Sequence, residues 1–222
     1  MYKACIFDLD GTLTDTLDSL LFSVNEMMKE LELPEITREQ CRMYVGNGAK
    51  VLVRKALESA GVREEEYFDK AFRTFQRIFD QNCTYHVRPY KGIVSLLAGL
   101  KAQGMKLGVL SNKPDRQAVH VVQEIFGDRA FDLVRGQREG VPRKPDPAAL
   151  LEMADNLKAG LSEVIYIGDS EVDIKTGQAA GVKTILVSWG FRSTEDLIKA
   201  GAEQIVDSVQ EIFEITKEES DE

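Results

Sequence analysis

Short apolar runs alternate with segments of helical spacing over most of the chain. Such runs are typical of buried strands, and the segments between them place their apolar residues on one side of a helix. The alternation predicts an α/β fold, in which a doubly wound, mostly parallel sheet carries helices on both faces. The predicted strands are a run ending at Ile6-Phe7 and residues 106–110, 131–134, 164–167, 184–187 and 204–206. The predicted helices between them are residues 116–126, 147–157, 173–181 and 195–200.

A different pattern fills residues 16–83, where no clear strand is found. Apolar residues recur there at the spacing of amphipathic helices, and four phenylalanines line what would be one helix face. We therefore expect an α/β core of residues 1–15 and 84–222 and a helical insert of residues 16–83. The apolar positions of the insert include Leu17, Leu20, Leu21, Val24, Met27, Met28, Leu31, Val51, Leu52, Leu57, Phe68, Phe72, Phe75 and Phe79.

Residues 45–49, with the sequence Val-Gly-Asn-Gly-Ala, break the helical pattern inside the insert. Glycines allow a tight turn and a close approach of the backbone to a ligand. We interpret this segment as a loop that faces a substrate. A plain turn that initiates a helix is the alternative.

Composition and charge narrow the classes of function. The 222 residues are 43% hydrophobic and 29% charged, and the formal net charge is −9. This balance is typical of a globular protein, and without a basic stripe we expect no nucleic-acid partner. No apolar stretch reaches the length of a membrane span and no signal-peptide pattern opens the chain, so we expect no membrane partner and a cytoplasmic location. The three cysteines are far apart, which favours buried thiols over a zinc site.

The first apolar run ends in an acidic pair, Asp8 and Asp10, followed by Gly11 and Thr12. Alternate residues of a strand face the same way, so the two carboxylates begin on one side. Carboxylates at the end of a buried strand are costly unless something binds there. A divalent metal ion and a phosphate would relieve that cost, whereas a strand followed by a polar turn is the plainer interpretation.

Three further motifs follow along the chain in a fixed order. They are Ser111-Asn112, Lys144-Pro145-Asp146-Pro147 and the stretch Gly-Asp-Ser-Glu-Val-Asp at residues 168–173. With the acidic pair they resemble the haloacid dehalogenase superfamily, whose pattern is DxDGT, then Ser or Thr, then Lys, then GDSxxD. The resemblance spans residues 6–173 and implies a Rossmann-like core with an inserted all-helical cap that closes over the active site.

The resemblance also implies a mechanism, that of a magnesium-dependent phosphatase. Asp8 would attack phosphorus and form an aspartyl-phosphate, and Asp10 would act as general acid and base. Ser111 would hold phosphoryl oxygens, and Lys144 would neutralise Asp8 and the transferring group. Mg²⁺ would be the cofactor, because it prefers oxygen ligands.

The implied metal ligands are the carboxylates of Asp8 and Asp169 and the backbone carbonyl of Asp10. Asp173 lies four residues after Asp169 on the same helix face. It could be a metal ligand, an acceptor for a metal-bound water or for Lys144, or a carboxylate favoured by the helix dipole. We favour contact with the water or with Lys144. The residues expected to bind phosphate or substrate are Gly11, Thr12, Asn112, Asn47, Lys50 and Arg54.

The expected substrate is a small phosphorylated metabolite. Within the superfamily, the loop at residues 45–49 and the segment at residues 111–114 look like the phosphoglycolate phosphatase branch. A pyrophosphatase and a phosphosugar mutase of the β-phosphoglucomutase type are alternatives, although such mutases carry an arginine where this chain has Gly48-Ala49. The non-enzyme alternative is a receiver-like phospho-acceptor domain, which lacks both DxDGT and the insert. We expect a monomer or a homodimer.

Overall fold

The computed structural model describes residues 1–62 and 64–217. Residue 63 and residues 218–222, which fall within the expected insert and core, lie outside the described residues. The described strands are β1 (Ala4–Phe7), β2 (Thr14–Asp15), β3 (Arg88–Pro89), β4 (Lys106–Pro114), β5 (Leu133–Gln137), β6 (Val164–Gly168), β7 (Lys183–Val187) and β8 (Ile205–Val206).

Six of these strands form one parallel sheet in the order β5-β4-β1-β6-β7-β8. The chain fills one side of β1 with β4 and β5 and then crosses to the other side for β6, β7 and β8. This is the strand order of a doubly wound fold. The direction in which successive strands are added to the sheet reverses between β1 and β6. Ligands of such folds bind at that reversal, beyond the carboxyl ends of the strands. The predicted fold class is confirmed.

Ten α-helices are described, four of them between β2 and β3. These four are α1 (Leu17–Glu30), α2 (Arg38–Tyr44), α3 (Ala49–Ser59) and α4 (Glu64–Asn82). The others are α5 (Ile93–Ala102), α6 (Asp115–Phe126), α7 (Ala148–Asn156), α8 (Glu171–Ala180), α9 (Thr194–Lys199) and α10 (Val209–Ile215).

The sheet is buried on both faces, as a parallel sheet between helices must be. All four residues of β1 are inaccessible to solvent, and their side chains divide between two apolar clusters. Cys5 and Phe7 pack into the larger cluster, which also takes in the helices of the insert, whereas Ala4 and Ile6 pack against α7. The central strand therefore has no freedom to shift, and the residues that follow it are held in a fixed position.

The insert packs as a helical unit around α4. Phe75 and Phe79 are almost fully buried, and Phe68 and Phe72 are half-buried against the same core, as the phenylalanine spacing predicts. Thr37 caps α2 with a complete capping box, in which it exchanges hydrogen bonds with Gln40. Cap interactions of this kind satisfy the free N–H groups at a helix start.

Two features of the strands were not predicted from the sequence. An antiparallel pair of two-residue strands, β2 and β3, joins the two chain crossings between core and insert, with Thr14 opposite Pro89 and Asp15 opposite Arg88. Strand β4 also extends to Pro114, so Ser111 lies within an extended segment and not in a turn after the strand. Its pairing with β5 shifts register between Leu110 and Pro114, and such irregularities re-aim side chains near functional sites.

None of the described helices combines the length and apolar character that crossing a bilayer requires. The three cysteines, Cys5, Cys41 and Cys83, are free and buried. The thiols thus behave as packing residues, as expected from their spacing.

Candidate active site

The acidic residues gather at the carboxyl edge of the two strands where the sheet order reverses. Asp8 follows β1 and Asp169 follows β6, and these strands are hydrogen-bonded neighbours in parallel register. Each of Asp8, Asp169 and Asp173 offers a carboxylate oxygen within 4.8 Å of the other two. All three side chains are buried, so the fold concentrates negative charge in a place shielded from water.

Lys144 supplies the countercharge to Asp8. Its Nζ lies 2.9 Å from Asp8 Oδ1, and the same oxygen accepts the backbone N–H of Leu9 at 2.8 Å. Burial raises the pKa of Asp8 to about 7, although the Lys144 charge acts in the opposite direction. Burial alone would lower the pKa of Lys144, but Asp173 and Asp8 together raise it well above its ordinary value. Lys144 therefore remains an ammonium ion inside the protein.

Both carboxylate oxygens of Asp173 accept hydrogen bonds from other groups of the protein. Oδ1 accepts hydrogen bonds from Lys144 Nζ at 2.9 Å and from the Tyr166 hydroxyl at 2.6 Å. Oδ2 accepts from the Ser170 hydroxyl at 2.6 Å and from the backbone N–H groups of Ser170 and Asp169 at 3.2 and 3.3 Å. Burial would raise the pKa of Asp173, but Lys144 and these hydroxyls lower it. Asp173 thus holds Lys144 and caps α8.

Tyr166 is a member of this group that the sequence did not single out. It lies in the middle of β6, where a fully buried aromatic residue is ordinarily a packing residue, and its exposure is 0%. Its hydroxyl donates to Asp173 and accepts from Lys144 Nζ at 3.0 Å. A tyrosine within a buried strand gives no sequence signal for such a contact, because only the fold brings Lys144 over it.

Asp169 sits between two glycine backbones. Its Oδ2 accepts the backbone N–H of Phe191 at 2.7 Å. A Cβ at Gly11, whose φ is +90°, would lie 2.3 Å from that oxygen, and a Cβ at Gly190 would lie 2.3 Å from the Asp169 Cβ. Burial, together with the nearby Asp173 and Asp8 charges, raises the pKa of Asp169 well above its ordinary value. Gly11 is therefore required for close approach to Asp169.

The donor set fits a hard divalent cation. Among the described residues of this cluster, three carboxylates share the single ammonium of Lys144. Two of them, Asp8 and Asp169, have raised pKa values because burial leaves their charge poorly compensated. Buried charge of this kind is stabilised by a metal ion, and carboxylate oxygens are the ligands that Mg²⁺ prefers. Asp8 and Asp169 are the candidate ligands, since hydrogen bonds from described residues engage one oxygen of each, whereas both oxygens of Asp173 are engaged.

Asp10 forms a second ion pair, with Lys113, to which the sequence assigned no role of its own. Lys113 Nζ lies 2.9 Å from Asp10 Oδ1, and the lysine side chain is only 2% exposed. The same ammonium lies 4.8 Å from the centre of the Phe79 ring at the end of α4. Lys113 reaches this position because β4 continues past Ser111, which the sequence pattern did not predict.

The predicted phosphate-binding residues lie beside this cluster. Ser111 and Asn112 are buried, and the Ser111 hydroxyl accepts the backbone N–H of Lys113 at 3.2 Å. The Asn112 side chain donates to the carbonyl oxygens of Lys144 and Gly46. The Thr12 hydroxyl is buried without a hydrogen-bond partner among the described residues.

A small cavity of about 50 Å³ joins these residues to the insert. The core contributes the two aspartates of the acidic pair and the end of β4, and the insert contributes mainly apolar groups. The cavity is lined by Asp8, Asp10, Leu20, Val45, Gly46, Gly48, Ala49, Leu52, Phe79, Ser111, Asn112, Lys113 and Pro114.

The three insert residues expected to bind substrate are not brought to this cavity. Lys50 is exposed with its ammonium 5.7 Å from the Phe72 ring, and the Arg54 guanidinium lies 4.8 Å from the Phe68 ring. The Asn47 carbonyl accepts a hydrogen bond from Arg143 at 3.1 Å. The side chains of Lys50 and Arg54 stack on α4 because they follow the helix face of α3 that packs there. Their roles in substrate binding stay predictions.

Two arginines, Arg192 and Arg42, join the insert to the core segment at residues 190–192. Arg192 donates to the carbonyl of Val45 at 2.9 Å and to that of Arg42 at 3.2 Å, and it pairs with Glu171 at 2.9 Å. Arg42 in turn donates to the carbonyls of Phe191 and Gly190. The segment at residues 190–192 thus contacts both the insert and Asp169.

Comparison with known proteins agrees with this geometry. The family model described as haloacid dehalogenase-like hydrolase matches residues 5–187 of the chain. A phosphoglycolate phosphatase from Pseudomonas savastanoi pv. phaseolicola is 31% identical over 215 residues, which cover 95% of this chain and 78% of that protein. An N-acetylmuramic acid 6-phosphate phosphatase from Pseudomonas aeruginosa is 34% identical over 222 residues, which cover 96% of this chain and 94% of that protein.

Solved structures share the fold over nearly the whole chain. The crystal structure of a predicted phosphoglycolate phosphatase from Haemophilus somnus matches with a TM-score of 0.90 at 28% identity, and covers 97% of this chain and 98% of that chain. A predicted phosphatase from Clostridium acetobutylicum matches with a TM-score of 0.85 at 27% identity, and covers 98% of this chain and 100% of that chain.

Proposed function

Since the chain belongs to the haloacid dehalogenase-like hydrolase family and is a phosphoric monoester hydrolase, we propose that it hydrolyses phosphoglycolate with Mg²⁺ through an aspartyl-phosphate at Asp8. The observation that carries this proposal is the position of Asp8. Its carboxylate lies 2.9 Å from Lys144, within 4.8 Å of Asp169, and in the wall of the same cavity as Asp10 and Ser111.

The first step is attack by Asp8 on phosphorus. One oxygen of its carboxylate forms the new P–O bond while the bond to the leaving alkoxide breaks, which leaves an acyl phosphate on Asp8. Leu9 N–H and Lys144 hold Asp8 Oδ1, which fixes the orientation of the carboxylate. Positioning of this kind and charge stabilisation supply most of the catalysis of phosphoryl transfer.

Asp10 moves the protons in both steps. It protonates the alkoxide as it leaves, and it then takes a proton from the water that cleaves the acyl phosphate. Its carboxyl lies in the cavity wall next to Asp8 and is 19% exposed. It therefore reaches the space that a leaving group and then a water would occupy. Asp8 and Asp10 have different roles because one attacks phosphorus and the other transfers protons.

The transferring phosphoryl group is held by donors from the core. The ammonium of Lys144 offsets its negative charge, and Ser111 with the neighbouring N–H of Asn112 offers hydrogen bonds to its oxygens. Mg²⁺, held by Asp8, Asp169 and the Asp10 carbonyl, would neutralise further charge and orient the phosphate for attack. Tyr166 acts on the reaction through its hold on Lys144 and Asp173, and Asp173 acts through its hold on Lys144 and on the backbone of Asp169.

Two observations support a small substrate. The cavity at the acidic pair measures about 50 Å³, and the loop at residues 45–48 contacts the core through Asn112 and Arg192. Relatives named as phosphoglycolate phosphatases are 31% to 34% identical to this chain, and an N-acetylmuramic acid 6-phosphate phosphatase is also 34% identical. The choice between these substrates therefore rests on the size of the cavity. The cytoplasmic location expected from the sequence stays a prediction.

A substrate panel tests the proposal. The purified protein with Mg²⁺ is assayed with phosphoglycolate, N-acetylmuramic acid 6-phosphate, pyrophosphate and β-glucose 1-phosphate, and phosphate release is measured. We expect the highest kcat/KM for phosphoglycolate and no isomerisation of the sugar phosphate. A higher kcat/KM for any other member of the panel would overturn the substrate assignment, and isomerisation would favour a mutase.

A further inference from the structure

Lys113 is the positive charge of the cavity. Of the described residues that line this space, two are aspartates, one is this lysine, and the others are uncharged. The catalytic lysine, Lys144, is not among them, and four oxygens already surround its Nζ. A substrate that brings negative charge beyond its phosphoryl group would therefore meet Lys113 and no other cation in this wall.

The surroundings of Lys113 leave it able to bind an anion. An ammonium group has three N–H donors, and among the described residues Asp10 Oδ1 is its one hydrogen-bond acceptor, at 2.9 Å. The Phe79 ring lies 4.8 Å from the nitrogen and keeps the lysine side chain buried. Two donors thus remain for a ligand. A charge held in an apolar wall binds an opposite charge far more strongly than one in water.

The insert side of the cavity cannot supply this recognition. Its lining residues are Leu20, Val45, Gly46, Gly48, Ala49, Leu52 and Phe79, none of which carries a charged side chain. A carboxylate enclosed here without a countercharge would lose its hydration and gain nothing in return. The wall formed by β4 therefore decides whether an acidic substrate is accepted.

We propose that Lys113 determines specificity by binding a second anionic group on the substrate, a carboxylate close to the phosphate. This inference rests on the proposed function, because it assigns the residue that selects acidic phosphomonoesters. A hydrogen bond to a charged group contributes enough to change kcat/KM by about 10- to 100-fold. A neutral group in place of the carboxylate gains no such interaction.

The test compares two substrates of similar size. Phosphoglycolate carries the carboxylate, and ethylene glycol monophosphate carries a hydroxyl in its place. The readout is the ratio of their kcat/KM values, because a loss of Asp10 orientation lowers both substrates and leaves the ratio unchanged. In Lys113→Met we expect this ratio to fall by about 10- to 100-fold. In Lys113→Arg, which keeps the charge, we expect the ratio to stay close to the wild-type value.

Lys106→Met is the matched control, because Lys106 begins the same strand, is exposed and pairs with Asp132 away from the site. Its ratio should equal that of the wild type. An unchanged ratio in Lys113→Met would overturn the inference. If Lys113→Met fails to fold, the ratio measured for the wild-type protein tests the inference instead. A wild-type preference for phosphoglycolate of less than about tenfold would also overturn the inference.

The failure of the proposed function has a different signature. A wild-type protein that releases phosphate from p-nitrophenyl phosphate but shows no preference for the acidic substrate refutes only the role of Lys113. A wild-type protein that releases phosphate from none of the three compounds refutes the proposed function and this inference with it.

Discussion

Tyr166→Phe removes one hydroxyl from the buried group that holds Lys144. The ring remains, so the packing of β6 is kept. In the wild type the hydroxyl donates to Asp173 Oδ1 at 2.6 Å and accepts from Lys144 Nζ at 3.0 Å. The substitution therefore tests whether the hydroxyl only stabilises the site or also takes part in the reaction.

The expected loss in the free energy of unfolding follows from counting hydrogen-bond donors and acceptors. Lys144 Nζ has three protons and four neighbouring oxygens, those of Leu110, Tyr166, Asp173 and Asp8. Loss of the hydroxyl leaves three acceptors for three protons, so the lysine loses little. Asp173 loses one buried, charge-assisted hydrogen bond, which costs about 1.5–3 kcal/mol. For a chain of this length that loss lowers Tm by about 3–12 °C.

The assay is thermal and chemical unfolding followed by circular dichroism, together with kcat on phosphoglycolate. We expect the free energy of unfolding to fall by about 1.5–3 kcal/mol and kcat to fall less than about tenfold, since the contact between Lys144 and Asp8 is untouched. Tyr85→Phe is the control. The Tyr85 side chain is 39% exposed, so loss of its hydroxyl should change neither stability nor rate.

Two results would refute this reasoning. Stability equal to that of the wild type would mean that the hydroxyl contributes no net stabilisation to the Asp173 cluster. A loss of kcat by several orders of magnitude in a stably folded variant would mean that Tyr166 takes part in the chemistry directly.

Three further predictions follow from the site. Asp10→Asn should lower kcat by about 10² to 10⁴ and change the pH–rate profile, and an unchanged profile would remove the acid–base role. EDTA should abolish activity and Mg²⁺ should restore it, whereas Ca²⁺, with its larger radius and higher coordination number, should not. Burial raises the pKa of Asp8 from 3.8 to about 7, so the metal-free folded state binds more protons than the unfolded state within that window. The contribution of Asp8 to the stability of that state should therefore fall as the pH rises from about 4 to about 7. Mg²⁺ must displace the Asp8 proton, so the increase in Tm on adding Mg²⁺ should be larger at pH 8 than at pH 5, and equal increases at the two pH values would contradict this site.

The sequence predicted those parts of the fold that depend on local pattern. The apolar runs placed β5 to β8 within three residues of their observed ends and β4 to within four, and the spacing in residues 16–83 predicted the helices of the insert. The pair β2 and β3 was missed because each strand has two residues, which is too short for any alternation to appear. Helices α5 and α10 were also not predicted.

The order of the motifs predicted that the acidic residues would lie together, but the long-range side-chain contacts of the site could not be predicted from the sequence. Asp8 and Asp169 could be expected to meet because their strands end at one sheet edge. Tyr166 carries no motif signal, since it lies within a buried strand. Lys113 belongs to the segment at residues 111–114 that resembles the family, but the sequence assigned it no role. The contacts of Tyr166 with Lys144 and of Lys113 with Asp10 join segments that are distant in sequence, and only the packed structure brings these together.

The most direct measurement of the central claim is the capture of the aspartyl-phosphate. Wild-type protein turning over ³²P-labelled phosphoglycolate with Mg²⁺ is quenched in acid, and the labelled peptide is identified by mass spectrometry. The proposed mechanism predicts label on Asp8 and none on Asp8→Asn, whose rate should fall below about a thousandth of the wild-type rate. Label on another residue, or an Asp8→Asn variant that keeps a larger share of the rate, would contradict it.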